Sequence, residues 1–405
     1  MDGIVNTTVA LLVAAVAVAL VARRLALPYT VGLVIAGIGL ALTRINTGLV
    51  LTHDLIFSVI LPPLLFEAAI NIHWRELRRD MLPILVLAIV GTIISAAVVT
   101  AGLMYWLAWP MAPALLFGVL IAATDPVAVI AMFKDNGIGG RLRLLVECES
   151  LFNDGVAAVL FTLALTTIEA PHAGGSISAE IGMTLVTTVA GGVVVGLASA
   201  GAVILAAGRT TDHLIESTLT TVAAYGSFLL AEHFHMSGVL ATVTAGLVTG
   251  NLAVLPDGEQ SKVTLQGRDF VLGLWEFIAF IANSLVFLLI GLTVGRVSVP
   301  SFGLFNIALI IAIVLLGRAL TVYPLSLVFA RSRWRIPAHA QHVLWWGGLR
   351  GALGLALALS LPKTLPMHDE ILIATFGVVA FSVIVQGLTM PFLLKFRSKD
   401  DPENT

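Results

Sequence analysis

Residues 113–133 read PALLFGVLIAATDPVAVIAMF. A helix needs about 20 apolar residues to cross the hydrocarbon core of a bilayer, and this stretch supplies them. Its centre carries Asp125-Pro126. Proline removes a backbone donor and its ring clashes with the preceding turn, so the helix is expected to break or unwind there. Backbone at membrane depth is left unpaired only where protein or water satisfies it. The freed Thr124 carbonyl then becomes a candidate ligand. A plain kink, with Asp125 capping the second half-helix, is the alternative reading, because Asp is a good N-cap; the two are compatible.

The rest of the chain has the same character. Its 405 residues are 58% hydrophobic and only 11% charged, with a mean hydropathy of +1.01. A soluble domain carries about 25% charged residues, so lipid must cover most of this one. The single cysteine, Cys148, excludes a disulfide framework and a cysteine-built metal site. No basic block points to nucleic acid. Residues 4–22 are apolar and followed by Arg23-Arg24. A cleavable signal peptide has its charge in front, so this reads as a first span.

Apolar runs place thirteen spans near 4–22, 28–42, 52–72, 82–108, 113–133, 144–168, 180–207, 214–232, 237–254, 270–295, 303–330, 341–360 and 370–394. The loops are brief, so 1–394 reads as a single all-α membrane domain with a polar cytoplasmic tail over 395–405. Lys and Arg accumulate on the cytoplasmic side of short loops. Seventeen of the 22 basic residues fall at one set of span ends, three (Arg44, Arg296 and Lys363) at the other, and Arg318 and Arg350 lie inside spans. This puts the carboxyl terminus in the cytoplasm and the amino terminus outside.

Ionisable groups in hydrocarbon cost about 2.5 kcal/mol or more, so they face protein or water and usually serve a function. Five stand out, Asp125, Glu149, Asp154, Arg318 and Arg350, with Glu67 nearer the end of its span. Asp154 lies roughly 15 Å into its span, near the midplane. Ser150, Asn153 and Asp154 sit at i, i+3 and i+4 and share a face. Carboxylate, hydroxyl and amide oxygens suit a hard cation such as sodium. The alternative is a carboxylate buried only to pair with an arginine. Arginine stays charged, so neither Arg318 nor Arg350 can carry a proton, which leaves a carboxylate as carrier. Glu149 is read as a structural partner of Arg318, since either group buried alone would be costly. Glu67 either lines a cytoplasmic funnel or snorkels at the interface.

Gly347-Gly348-Leu349-Arg350-Gly351 predicts a second break, in the twelfth span. With the seventh span as connector, the fifth and twelfth correspond. The halves, roughly 1–170 and 214–394, are then inverted repeats with two interrupted crossing helices, a pattern typical of transporters.

Four strings now carry a resemblance: Leu-Pro-Pro-Leu-Leu-Phe-Glu (61–67), Ala-Thr-Asp-Pro-Val-Ala-Val (123–129), Glu-Ser-Leu-Phe-Asn-Asp-Gly-Val-Ala (149–157) and Gly-Gly-Leu-Arg-Gly-Ala (347–352). In this order they resemble the NhaP/NHE branch of the monovalent cation:proton antiporters. The resemblance implies that Asp154 binds the ion and carries the proton, with Asn153 supporting it. Thr124, Asp125 and Ser150 would complete the cation site, and Glu67 would act through water. Glu149 would pair with Arg318, and Arg350 would stabilise the interrupted twelfth helix. It further implies a homodimer in the cell membrane that exchanges sodium (or potassium or lithium) for protons electroneutrally, with no cofactor. The family's eukaryotic members carry long regulatory tails, so this chain, which shows none, is expected to be prokaryotic.

The physical basis is competition. Desolvation disfavours a bare carboxylate, which a proton or a sodium ion can neutralise, and only the neutralised form crosses cheaply between access states. Other classes fit less well. A potassium/proton antiporter on the same fold is the near alternative. An intramembrane aspartyl protease would need two carboxylates meeting around a water, and Asn153 beside Asp154 suits that poorly. A channel or an anion symporter would want a less carboxylate-rich crossing.

Overall fold

The structure, a computed structural model, describes residues 2–25, 27–43, 51–169, 177–256, 263–296 and 303–397. Of the basic residues tallied above, Arg44, Lys262 and Lys399 lie outside these, as does the expected tail beyond Arg397. Among the described residues the regular structure is helical, as expected where the backbone must satisfy its own donors and acceptors in lipid. One isolated bridge joins Asp125 and Leu349.

In chain order the helices are α1 (Asp2–Leu25), α2 (Tyr29–Leu42), α3 (Leu61–Ile70), α4 (Trp74–Leu85), α5 (Gly91–Trp106), α6 (Met111–Leu120), α7 (Val127–Asp135), α8 (Gly140–Glu169), α9 (Ile177–Ala207), α10 (His213–His233), α11 (Gly238–Thr249), α12 (Leu265–Val294), α13 (Leu304–Val328), α14 (Ala338–Trp346), α15 (Ala352–Leu359), α16 (His368–Phe381) and α17 (Gly387–Arg397). Among the described residues, seven helical stretches are long and apolar enough to cross a membrane, two of them joined pairs (Trp74–Trp106 and His368–Leu394), and five further apolar helices are shorter. The fourth stretch begins earlier than hydropathy placed it. Its helix is continuous over Trp74–Trp106 because the amphipathic turns carrying Arg75, Arg78 and Arg79 extend the apolar span.

Contacts divide the chain into two compact units. One comprises Met1–His53, Leu82–Asn153 and Ser284–Thr405; the other comprises Asp54–Met81 and Asp154–Asn283. In the second unit, α3 packs against α11 and the turn that follows it at glycines. A Cβ on Gly250 would collide with the Ile70 carbonyl oxygen, so only glycine permits this approach. Phe66 and Trp275 pack with ring centroids 4.7 Å apart, and the Trp275 indole donates to Thr220 Oγ1 at 3.0 Å. Asn251 holds the end of α3 to the start of α4. It accepts from the Trp74 amide at 2.7 Å and donates to the Ile72 carbonyl at 2.8 Å. Gly192 and Gly196 serve packing inside the unit, against the carbonyls of Ser237 and Ala241.

In the first unit both expected interruptions are present. The fifth span is α6 and α7 separated by residues 121–126, and the twelfth is α14 and α15 separated by residues 347–351. The breaks meet each other: the Asp125 amide donates to the Leu349 carbonyl at 2.8 Å. A buried ion pair spans the neighbouring helices. Arg318, on α13, forks onto both oxygens of Glu149, on α8, at 2.8 Å each. The same guanidinium donates to the Leu344 carbonyl of α14 from Nε and Nη2, at 3.3 and 3.0 Å. Gly348 makes room for it, because a Cβ there would lie 2.7 Å from Arg318 Nε.

Removing one member of such a pair strands the other charge. Arg318→Met alone is therefore expected to destabilise by about 3–5 kcal/mol. The double variant Glu149→Gln/Arg318→Met, which leaves no uncompensated charge, should lose less. Thermal unfolding of the purified variants in detergent compares them, and a double variant at least as damaged as the single would reject this role for the pair.

Candidate ion site at the interrupted helices

The fifth break is held open by side chains of α8. The Ser150 hydroxyl donates to the Thr124 carbonyl in the unwound stretch. Asn153 reads the same residue twice. Its Nδ2 donates to Thr124 Oγ1 at 2.7 Å, and its Oδ1 accepts from the Thr124 amide at 3.3 Å. Thr124 Oγ1 lies 3.3 Å from Ser150 Oγ. Asn153 Nδ2 also reaches Glu149 Oε1 at 3.1 Å, which ties the cluster to the ion pair. Thr124, Glu149, Ser150 and Asn153 are all buried. Spacing explains the convergence: positions 149, 150 and 153 share one side of a 3.6-residue helix. A small cavity is lined by Thr124, Glu149, Ser150, Arg318, Gly347 and Gly348 among others.

Asp125 does what an N-cap does, and does it twice. Its carboxylate accepts from the Val127 amide at 3.0 Å, at the start of α7, and from the Ala352 amide, at the start of α15. Two half-helix N-termini, each with orphan donors and a positive dipole end, thus converge on one carboxylate. Gly351 permits it: a Cβ there would collide with Asp125 Oδ2. Arg350 plays the complementary part. Although it belongs to the twelfth break, its Nη1 donates to the carbonyls of Ala122 and Ala123 in the fifth, at 2.8 and 3.0 Å.

The remaining two candidates lie in the second unit. Asp154 follows Asn153 on α8 and is partly buried. Glu67, on α3, is also partly buried, with Asn71 Nδ2 3.3 Å from its Oε1.

Three polar residues escaped the reading of the sequence. Ser382 and Gln386 sit on a wide π-helical turn joining α16 to α17. Ser382 Oγ accepts from the Arg350 amide at 3.0 Å, and Gln386 Nε2 donates to the Trp346 carbonyl at 2.9 Å. Together they satisfy backbone groups that the twelfth break would orphan. Their signal was available, as two polar residues at i and i+4 in an apolar span. Glu216 is the third. Buried on α10, it accepts from the Thr264 amide at 3.1 Å and its hydroxyl at 3.0 Å. Thr264 in turn caps α12 through the Gly267 amide at 3.0 Å. This is a capping box whose acid comes from a different helix.

Comparison with known proteins agrees with this geometry. The family described as "Sodium/hydrogen exchanger, transmembrane" matches residues 10–396. The Na(+)/H(+) antiporter ApNhaP of Aphanothece halophytica is 40% identical over 374 residues, covering 91% of this chain and 69% of that protein. The Na(+)/H(+) antiporter NhaH of Halobacillus aidingensis is 34% identical over 401 residues, covering 95% and 96% of the two chains. The solved structure of the sodium proton antiporter MjNhaP1 from Methanocaldococcus jannaschii has the same fold, with a TM-score of 0.76 at 20% identity over 97% of this chain and 98% of that one. A multi-pass helical frame, two interrupted helices and a match running almost end to end place this chain in the sodium/hydrogen exchanger family.

Proposed function

We propose that this chain exchanges sodium for protons across the cell membrane by letting the two cations compete for Asp154. The observation that carries the reading is the oxygen cluster at the fifth break. Thr124 and Ser150 present hydroxyl and carbonyl oxygens in a buried setting, and Asp154 lies one turn beyond Ser150 on the same helix. Hard oxygen donors with one carboxylate match a small monovalent cation. The cation neutralises the carboxylate when bound, and so does a proton. With one charge site there is one cation per proton, so exchange is electroneutral. Relatives named as sodium antiporters favour sodium over potassium.

In this reading Glu149 is committed to Arg318, and Asp125 to the two helix N-termini, so neither is the carrier. Asn153 holds the Thr124 backbone in ligating position, and Glu67 assists through water. Arg350 and Asp125 balance the ends of the crossed half-helices, so that the inverted repeats 1–170 and 214–394 share a stable pivot. The amino terminus lies outside and the carboxyl terminus in the cytoplasm, and the chain works as a homodimer.

Asp154→Asn removes the exchangeable charge while keeping the size of the side chain. Purified and reconstituted in liposomes, the variant should insert normally and move no protons when sodium is added. Sodium-driven proton movement at the wild-type rate would reject the assignment. The competition also has a sign. Lowering the pH protonates the site and removes the anionic ligand, so apparent sodium affinity should fall by up to about tenfold per pH unit on the acid side. An affinity unchanged from pH 5 to 8 would contradict a shared site. Rates that do not respond to a clamped membrane voltage are expected if one cation leaves for each proton that enters; a voltage-dependent rate would sink electroneutrality while leaving the site intact.

A further inference from the structure

The segment after α13 runs Arg331-Ser332-Arg333-Trp334-Arg335-Ile336. Exposure alternates strictly along it: the three arginines are exposed, Ser332 and Trp334 are half-buried, and Ile336 is buried. The turn is held by its own chain and by one distant residue. Ser332 Oγ donates to the Phe329 carbonyl at 2.9 Å and accepts from the Trp334 amide at 3.1 Å. Arg141, just inside α8, donates to the carbonyls of Arg335 and Trp334 at 2.7 and 3.1 Å. Three exposed guanidiniums are thereby carried within five residues of one braced turn. Among the described residues none of the three has a carboxylate partner. Arg333 lies over the Trp334 ring, 4.4 Å from its centroid.

The surface next to this strip is apolar. Leu327 and Val328, in the last turn of α13, are 69% and 72% exposed, which only hydrocarbon can solvate cheaply. The arginines therefore begin where the hydrocarbon ends. A tryptophan at that level is what an interfacial position favours. Guanidinium forks bind phosphate oxygens bidentately, and clustered Lys and Arg just beyond a spanning helix attract anionic lipid.

We propose that Arg331, Arg333 and Arg335 form a binding site for the phosphodiester headgroup of an anionic phospholipid, whose acyl chains lie against Leu327 and Val328. A lipid fits both halves of this surface, whereas a free phosphate or a soluble anion fits only the charged half. The site is placed to matter. Its turn leads directly into α14, which ends at the twelfth break, and Arg141 ties the same turn to the first residues of α8. A headgroup bridging the arginines would brace the turn from which α14 starts and the residue that anchors the start of α8.

The test measures lipid retention and is independent of transport. The 405-residue chain in detergent is titrated with phosphatidylglycerol or phosphatidylcholine, and bound lipid is counted by native mass spectrometry. Wild type is expected to retain phosphatidylglycerol several-fold over phosphatidylcholine. Arg331→Gln/Arg333→Gln/Arg335→Gln should lose that preference, and Arg331→Gln/Arg335→Gln should lower it, while Arg75→Gln/Arg78→Gln, an exposed pair of arginines on α4 that matches the double variant in charge removed, should keep it. Excess glycerol 3-phosphate should not displace the lipid. Undiminished preference in the triple variant would overturn the proposal, as would full displacement by glycerol 3-phosphate, or an equal loss in the α4 control. If the triple variant unfolds, Arg335→Gln alone must still lower retention, because only the backbone of Arg335 takes part in holding the turn.

Discussion

A helix interrupted inside a membrane leaves backbone amides and carbonyls with no water to bond them, and this constraint organises the first unit. Each break exposes carbonyls at the end of one half-helix and amides at the start of the next. Side chains and the opposite break meet these groups. Asp125 takes amides of α7 and α15, Arg350 takes the Ala122 and Ala123 carbonyls, and Ser150 and Asn153 hold Thr124. The charges are complementary to the half-helix dipoles: Asp125 faces the amino ends of α7 and α15, Arg350 faces the carboxyl end of α6, and Arg318 faces that of α14.

The ion pair of Glu149 and Arg318 sits one step behind this arrangement. Arg318 joins α13 to α8 and to α14, so the helix that carries the oxygen cluster and the half-helix that precedes the second break share one guanidinium. A bidentate pair with a third acceptor fixes orientation as well as distance. Asn153 extends the network from Glu149 to Thr124. Glu149 and Asp125 thus spend their oxygens in holding the frame.

Glycine has a specific role at the crossing. Gly348 and Gly351 stand where a methyl group would collide with Arg318 and Asp125. The run Gly347-Gly348-Leu349-Arg350-Gly351 thus serves close approach of charged side chains as much as it serves unwinding. In the second unit, Gly250 brings the end of α11 onto α3 for the same steric reason, and α3 carries Glu67.

Local properties of the chain were legible from sequence. Apolar length marked the helices, Pro126 and the glycine run marked the two breaks, and scarcity of charge marked Asp125, Glu149, Arg318 and Arg350 as groups that need partners. These follow from composition and period, which neighbouring residues decide among themselves. Choices between distant residues were settled only by the tertiary structure. Arg350 bonds carbonyls more than two hundred positions away in the fifth break, although the sequence assigned it to the twelfth. Ser382, Gln386 and Glu216 acquire meaning only when another helix presents an unsatisfied backbone group. Sequence therefore determined which elements exist and which residues are expensive to bury; packing determined which partner offsets the cost of each burial, because a hydrogen bond depends on position in space and the chain encodes that position only through the whole fold.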